Sequence, residues 1–161
     1  MRKMQSKLIY SLQFCALLLI VSAEPRDRVI AQEPIEQSPQ LPLALNLSDV
    51  SWGPPGGGSG FPVGVRTARQ GIDPSTGGIT YYAMFPSGSH FDLHWHTYEE
   101  YVVVVQGEVT IVLGEETHTL TTGGYIVIPG KMNHSWDVPA SEDAVILVRR
   151  GGPADFHFVE P

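Results

Sequence analysis

Four residues carry the chemistry that this sequence can do: His94, His96, Glu100 and His134. On a strand, residues i and i+2 point to one face, so His94 and His96 project together and Trp95 opposes them. Glu100 opens an apolar run just past the bend at Thr97 and Tyr98, where antiparallel pairing can return it to the two imidazoles. His134 follows a strand and a Pro-Gly turn in GGYIVIPGKMNHSW. Three neutral imidazoles and one carboxylate form a mixed nitrogen and oxygen donor set for one divalent transition metal. Iron, manganese, nickel, cobalt, copper and zinc all accept such a set, and it can leave positions open for water or a small ligand. The ordinary alternative is a group of hydrogen-bonded polar residues in a barrel mouth.

The elements that must position these residues are short strands. The chain has 161 residues, which bounds it to one domain, with 17 Gly, 13 Pro and a charged fraction of 17%. Apolar and β-branched runs recur at 79–85, 90–96, 100–106, 108–114, 116–120, 125–129, 134–138, 144–150 and 156–160, mostly separated by Gly, Pro, Asp or Asn. LNLSDVSW (45–52) and VGVRTARQ (63–70) add two more predicted strands around the loop GPPGGGSG (53–60). No stretch after Ala23 carries helical periodicity and no internal repeat is visible. The pattern predicts an all-β fold, a small antiparallel β-barrel or sandwich.

The residues then reach a family resemblance. Gly88, His94, His96, Glu100 and Gly107 stand at every spacing of the first cupin motif, and Gly123, Pro129 and His134 match the second. Lys131 replaces the second motif's glycine and Val138 its final asparagine, and neither position is a metal ligand in the family. Residues 108–122 make a short inter-motif segment. The chain thus resembles a single-domain cupin. The opening W…GPPGGG and closing GGPADFHFVEP are similar to exported single-domain cupins of unassigned activity. The resemblance implies a jelly-roll barrel with the metal inside, held by His94, His96, Glu100 and His134, and a homodimer.

Other residues are weaker candidates. His90 and Asp92 share strand parity with the ligands, which fits either a pocket-facing position or a solvated strand entry. Glu99 has the opposite parity to Glu100 and is expected to be exposed. His118 is expected at the surface and His157 in a structural role. Trp136 shares the face of His134, so it floors a pocket or packs in the barrel core. Val102 and Val104 are expected to line the interior. Tyr82 and Tyr101 are the phenols considered for a substrate contact.

The first 23 residues read as a secretory signal peptide: Arg2, Lys3 and Lys7 precede the apolar run Leu8 to Ala23, which is shorter than the roughly 20 residues of a span. Residues 24–45 are proline-rich and read as a flexible linker, leaving 46–161 as the barrel domain. Cleavage after Ala23, or alternatively after Ala31, removes Cys15, the only cysteine, and cleavage after Ala23 takes the formal charge from −7 to −10 by loss of three basic residues. That balance argues against nucleic acid. Small molecules are the expected partners. Three function classes stay open, the first two being a mononuclear metal-dependent oxygenase or related isomerase, lyase or decarboxylase, and a non-catalytic metal-dependent binding or sensing protein. A metal-storing barrel without turnover is the third and plainest. The expected native species is an exported homodimer whose chains begin near Glu24, because small barrels leave strand edges that need cover. N-terminal sequencing and sedimentation of native protein check this; a chain starting at Met1, or a monomer at micromolar concentration, contradicts it.

Overall fold

Side-chain alternation builds the strands. In β4 (Glu100–Gln106), Glu100, Val102 and Val104 are buried while Tyr101, Val103 and Val105 are half-buried. In β9 (Ala144–Arg150), Ala144, Ile146, Val148 and Arg150 share the same inward parity and are all buried. The structure is a computed structural model, and it describes residues 42–160. The expected signal peptide with Cys15, and most of the expected linker, lie outside the described residues. Among the described residues no helix is long and apolar enough to cross a membrane.

Among the described residues, ten strands form two five-stranded antiparallel sheets. The first has the order β1 (Arg66–Ile72), β2 (Ile79–Phe85), β9, β4, β7 (Tyr125–Ile128). The second has the order β10 (His157–Phe158), β3 (His90–Trp95), β8 (His134–Asp137), β5 (Glu108–Leu113), β6 (Glu116–Thr121). Their inner faces meet in one apolar cluster, with Val102, Ile146 and Val148 from the first sheet and Val109, Ile111 and Trp136 from the second. Burial of each such side chain is worth about 1.5–3 kcal/mol. The result is an all-β jelly-roll barrel; the strand pattern predicts the all-β barrel or sandwich, and the family resemblance implies the jelly roll.

One predicted strand is absent. Leu47–Asp49 forms a single 3-10 turn. Asn46 Nδ2 donates to Asp49 Oδ2 at 3.0 Å, and the Asp49 N–H donates to the Asn46 carbonyl at 2.9 Å. Local bonds of this kind compete with a ladder, and here they win. The predicted strand at 63–70 begins later, at Arg66, because Gly64 turns the chain with a φ of +90°.

Gly107 and Lys131 stand in turns that depend on the left-handed backbone region. Gly107, between β4 and β5, has a φ of +77°, and a Cβ there would come within 2.5 Å of the Asp143 carbonyl oxygen. Lys131 has a φ of +66° although it carries a side chain. Its N–H donates to the His96 carbonyl at 2.7 Å, and the Met132 N–H donates to the Pro129 carbonyl at 3.2 Å. The turn keeps its shape even though lysine stands where the motif has glycine. Placing a non-glycine residue there costs about 1–2 kcal/mol, against about 0.5–1 kcal/mol of extra chain entropy for glycine. Lys131→Gly should therefore stabilise the barrel by about 1 kcal/mol. Urea unfolding of metal-free protein checks this, with a midpoint above that of the parent as the expected outcome.

Candidate metal centre

The three histidines arrive from two neighbouring strands. His94 on β3 pairs in register with His134 on β8, and His96 follows just past the end of β3. Between Phe91 and His94 the register shifts: three steps along β3 match two along β8, from Trp136 to His134. This bulge carries one extra residue, which re-aims the side chains that follow it. Phe91 and His94 are both buried as a result, while Asp92 and Leu93 are exposed. The Phe91 ring stacks on His94 at 4.1 Å.

All three imidazoles are oriented by backbone carbonyls. His94 Nδ1 donates to Asp92 O at 2.6 Å, His134 Nδ1 to Met132 O at 3.0 Å, and His96 Nδ1 to Asp155 O at 2.6 Å. A carbonyl only accepts, so each Nδ1 must carry the proton, and in the neutral ring Nε2 presents a lone pair. Ligand atoms of His94, His96 and His134 lie within 4.8 Å of one another, and the residues are 1%, 3% and 0% exposed. Among the described residues the buried Nε2 of His134 has no hydrogen-bond partner. An oriented set of imidazoles with one orphaned nitrogen is what a metal-ready site requires. The three histidines could hold a divalent transition ion.

Glu100 reaches the same point with one oxygen. Its Oε2 lies 3.3 Å from His96 Nε2 and 3.8 Å from His134 Nε2. Its Oε1 lies 2.9 Å from Arg150 Nε, a buried ion contact in which the N–H is not aligned on the oxygen. Burial pushes the Glu100 carboxyl up, but the close His96 imidazole, the Arg150 charge and the His134 ring together hold it below the ordinary range. Arg150 Nη2 donates to the Tyr81 hydroxyl at 3.3 Å. Burial first, and Glu100 second, push the Tyr81 phenol well up, so it stays protonated. Phe156 closes the side: its ring stands edge-on to His96 at 4.8 Å and 4.8 Å from the Arg150 guanidinium carbon. A cavity of about 20 Å³, lined in part by His94, His96, Glu100, Tyr81 and Trp136, sits at the centre.

The structure brings together all four residues expected from the motifs. His90 and Asp92 stay outside, where His90 Nδ1 lies 2.7 Å from Asp137 Oδ1. Tyr82 and Tyr101 have the wrong parity and lie on the outer side of the first sheet. Tyr81, next to Tyr82, is the phenol that faces in, as its inward neighbours Ala83 and Phe85 on β2 require. Glu99, expected to be exposed, is half-buried against Gly151. His118 is half-buried on β6, beside Glu116 and away from the centre. His157 stacks on Trp95 at 3.9 Å and lies 3.1 Å from Asp155 Oδ2. Trp136 is both core and cavity wall. Arg150 and Asp155 were not among the expected residues. Arg150 was readable from its parity with Ile146 and Val148; Asp155 contributes a carbonyl, which no side-chain pattern announces.

Comparison with known proteins agrees with this geometry. Residues 81–149 match the family described as "Cupin domain". A cupin-2 domain from Rhodospirillum rubrum superposes with a TM-score of 0.60 at 17% identity, over 76% of this chain and 85% of that one. A cupin 2 conserved barrel domain protein from Rhodopseudomonas palustris gives 0.62 at 15% identity, over 75% and 87%. The polyketide cyclase RemF from Streptomyces resistomycificus gives 0.58 at 17% identity, over 75% and 87%. At these identities the likeness is one of fold. No curated protein matches the chain by sequence.

Burial, and secondarily the neighbouring His134, lower the His94 pKa from 6.5 to about 3, and His134 is lowered chiefly by burial. Between pH 3 and 6.5 the unfolded chain then holds the extra proton and the native chain does not. This contribution to stability is complete above about pH 6.5 and is lost as the pH falls through that window. Chelator-treated protein should melt at progressively lower temperature from pH 7 to pH 4. His94→Phe, which keeps a ring against Phe91 but cannot titrate, should flatten that slope; melting curves across the series check it.

Proposed function

Because residues 81–149 match the cupin-domain family, we propose that the chain binds one divalent transition metal through His94, His96, His134 and Glu100 and uses it to transform a small organic molecule. The observation that carries this reading is the convergence of three Nε2 atoms whose Nδ1 atoms are each tied to a carbonyl. A bound ion would supply Lewis-acid or redox chemistry. The chain's own residues supply the rest. Tyr81, kept protonated, is a hydrogen-bond donor available beside the carboxylate, and Arg150 is a fixed positive charge behind it. Groups of this kind stabilise developing negative charge in a dry site, and a purely structural metal site does not need them. The fold neighbour described as a polyketide cyclase is an example of small-molecule chemistry on this barrel.

The second reading is metal-dependent ligand binding without turnover. The size of the central cavity favours it, since about 20 Å³ is room for roughly one water. Product formation or oxygen uptake with loaded protein supports the enzyme, and saturable binding without product supports the binding protein. Export ahead of Glu24 and pairing of two copies belong to the same proposal. The basic-then-apolar N-terminus supports the first. The exposed Tyr125 and Val127 on the edge strand β7 support the second.

Elemental analysis of parent protein should give one metal per chain, and His96→Ala should lose most of it while keeping the barrel, whose core is aliphatic. Glu100→Gln should lower metal content less than His96→Ala does. It should also lower the stability of metal-free protein by about 3 kcal/mol, since Arg150 is left buried without its counter-charge. The thermal shift that added metal gives the parent should shrink or vanish in both variants. His118→Ala should change neither metal content nor thermal shift. Equal metal content in the parent and His96→Ala would overturn the site.

A further inference from the structure

Beside the centre, a groove of about 280 Å³ opens between the edge strand β1 and the C-terminal segment. Its walls are mostly apolar: Phe61, Ile79, Tyr81 and Phe156, with Ala154 at one side. Two of these, Tyr81 and Phe156, also line the central cavity, so the groove and the metal centre share a wall one aromatic ring deep. The groove's volume approaches the lower end of the range for small-molecule sites, which combine an apolar lining with a few placed polar groups.

The placed polar groups come from β1. Arg69 is the register partner of Tyr81 and Thr67 that of Ala83, so both share the face that looks into the barrel. A bulge follows directly after Arg69, where two steps on β1 match one on β2. Arg69 is exposed, and no ion pair engages it among the described residues, whereas Arg149 pairs with Asp73 at 3.3 Å and Arg150 with Glu100 at 2.9 Å. An unpaired guanidinium at the rim of an apolar groove is matched by a planar carboxylate, which it can grip with two parallel hydrogen bonds. One guanidinium with one threonine suits a monoanion; a phosphate dianion would call for more donors.

We propose that this groove receives a small organic acid, its carboxylate on Arg69 and its apolar body against Phe61, Tyr81 and Phe156. The assignment deepens the proposed function and rests on it for any reaction, but acid binding itself does not depend on the metal. The charge balance is consistent with this: Glu100 is already compensated by Arg150, so nothing at the shared wall repels an anion.

The test uses full-length protein, metal-loaded and chelator-treated, titrated with 3-phenylpropionate, 3-phenylpropionamide and inorganic phosphate by calorimetry or chemical-shift perturbation. The parent should bind the acid saturably and the amide about tenfold more weakly. Arg69→Gln should weaken acid binding about tenfold and leave amide binding unchanged. Arg66→Gln removes a charge from the same strand outside the groove and should change neither. Phosphate should not displace the acid, and chelation should leave the dependence on Arg69 in place. No saturable binding of the acid, acid binding unaffected by Arg69→Gln, an equal loss in Arg66→Gln, or displacement by phosphate would each overturn the assignment. Dependence on Arg69 in a protein that takes up no metal even when metal is supplied would sink the metal reading and leave the groove standing.

Discussion

Everything at the centre depends on which nitrogen of each imidazole carries the proton, and three backbone carbonyls decide it. Two of them are local: Asp92 O and Met132 O each lie two residues before the histidine they orient. The third is distant, because Asp155 reaches His96 from 59 residues away in sequence. His96 stands past the end of β3 and has no ladder to hold it, so the C-terminal segment does that work. That segment is fixed in turn by the Thr97 N–H donating to Asp155 Oδ1 at 3.0 Å, by Trp95 stacking on His157, and by the short pairing of β10 with β3. The Asp155 carboxyl is itself held low, at about 2: burial opposes this, and hydrogen bonds from Thr97 and His157 outweigh it. The chain's end is therefore a working part of the centre.

A second constraint is the balance between an apolar barrel and the charge inside it. Phe91 and Phe156 pack directly on the imidazoles, which keeps water away and disfavours protonation of His94 and His134. The same burial would drive Glu100 toward its neutral acid, and only its partners prevent that. A carboxylate is left where an anionic donor is useful, inside a wall that would otherwise neutralise it. Arg150 in turn has an aromatic face beneath it in Phe156, as is favourable for a guanidinium.

Much of this was legible from parity and spacing alone. The alternation that makes β4 and β9 gave the inward faces of Val102 and Val104, and the motif spacings named the four residues that the barrel brings together. Parity failed at the bulge in β3, where an extra residue puts Asp92 outside although it lies two positions before His94. It was ambiguous on β2, where Tyr81 and Tyr82 are both plausible strand residues and only the neighbouring strands decide which looks inward. Arg150 was obscured by the habit of reading a charged strand end as solvent-facing, although its own strand places it with Ile146 and Val148. The turn at Leu47–Asp49 was hidden because its bonds are between an asparagine and an aspartate that also fit a short strand. Asp155 could not be read at all, since the contribution is a backbone oxygen.

The contact between Glu100 and Arg150 has a consequence for the order in which the protein is assembled. A cluster of metal donors without its ion is commonly a site of repulsion that the fold must tolerate, and small metal domains often cannot fold until the ion arrives. Here the single anionic donor has a resident cation inside the barrel, and the core around it is aliphatic and continuous. The barrel can close first and be loaded afterwards. On the proposed metal reading, the ion it carried would be governed by what the surroundings offer a finished site, and not by what was present while the chain was folding.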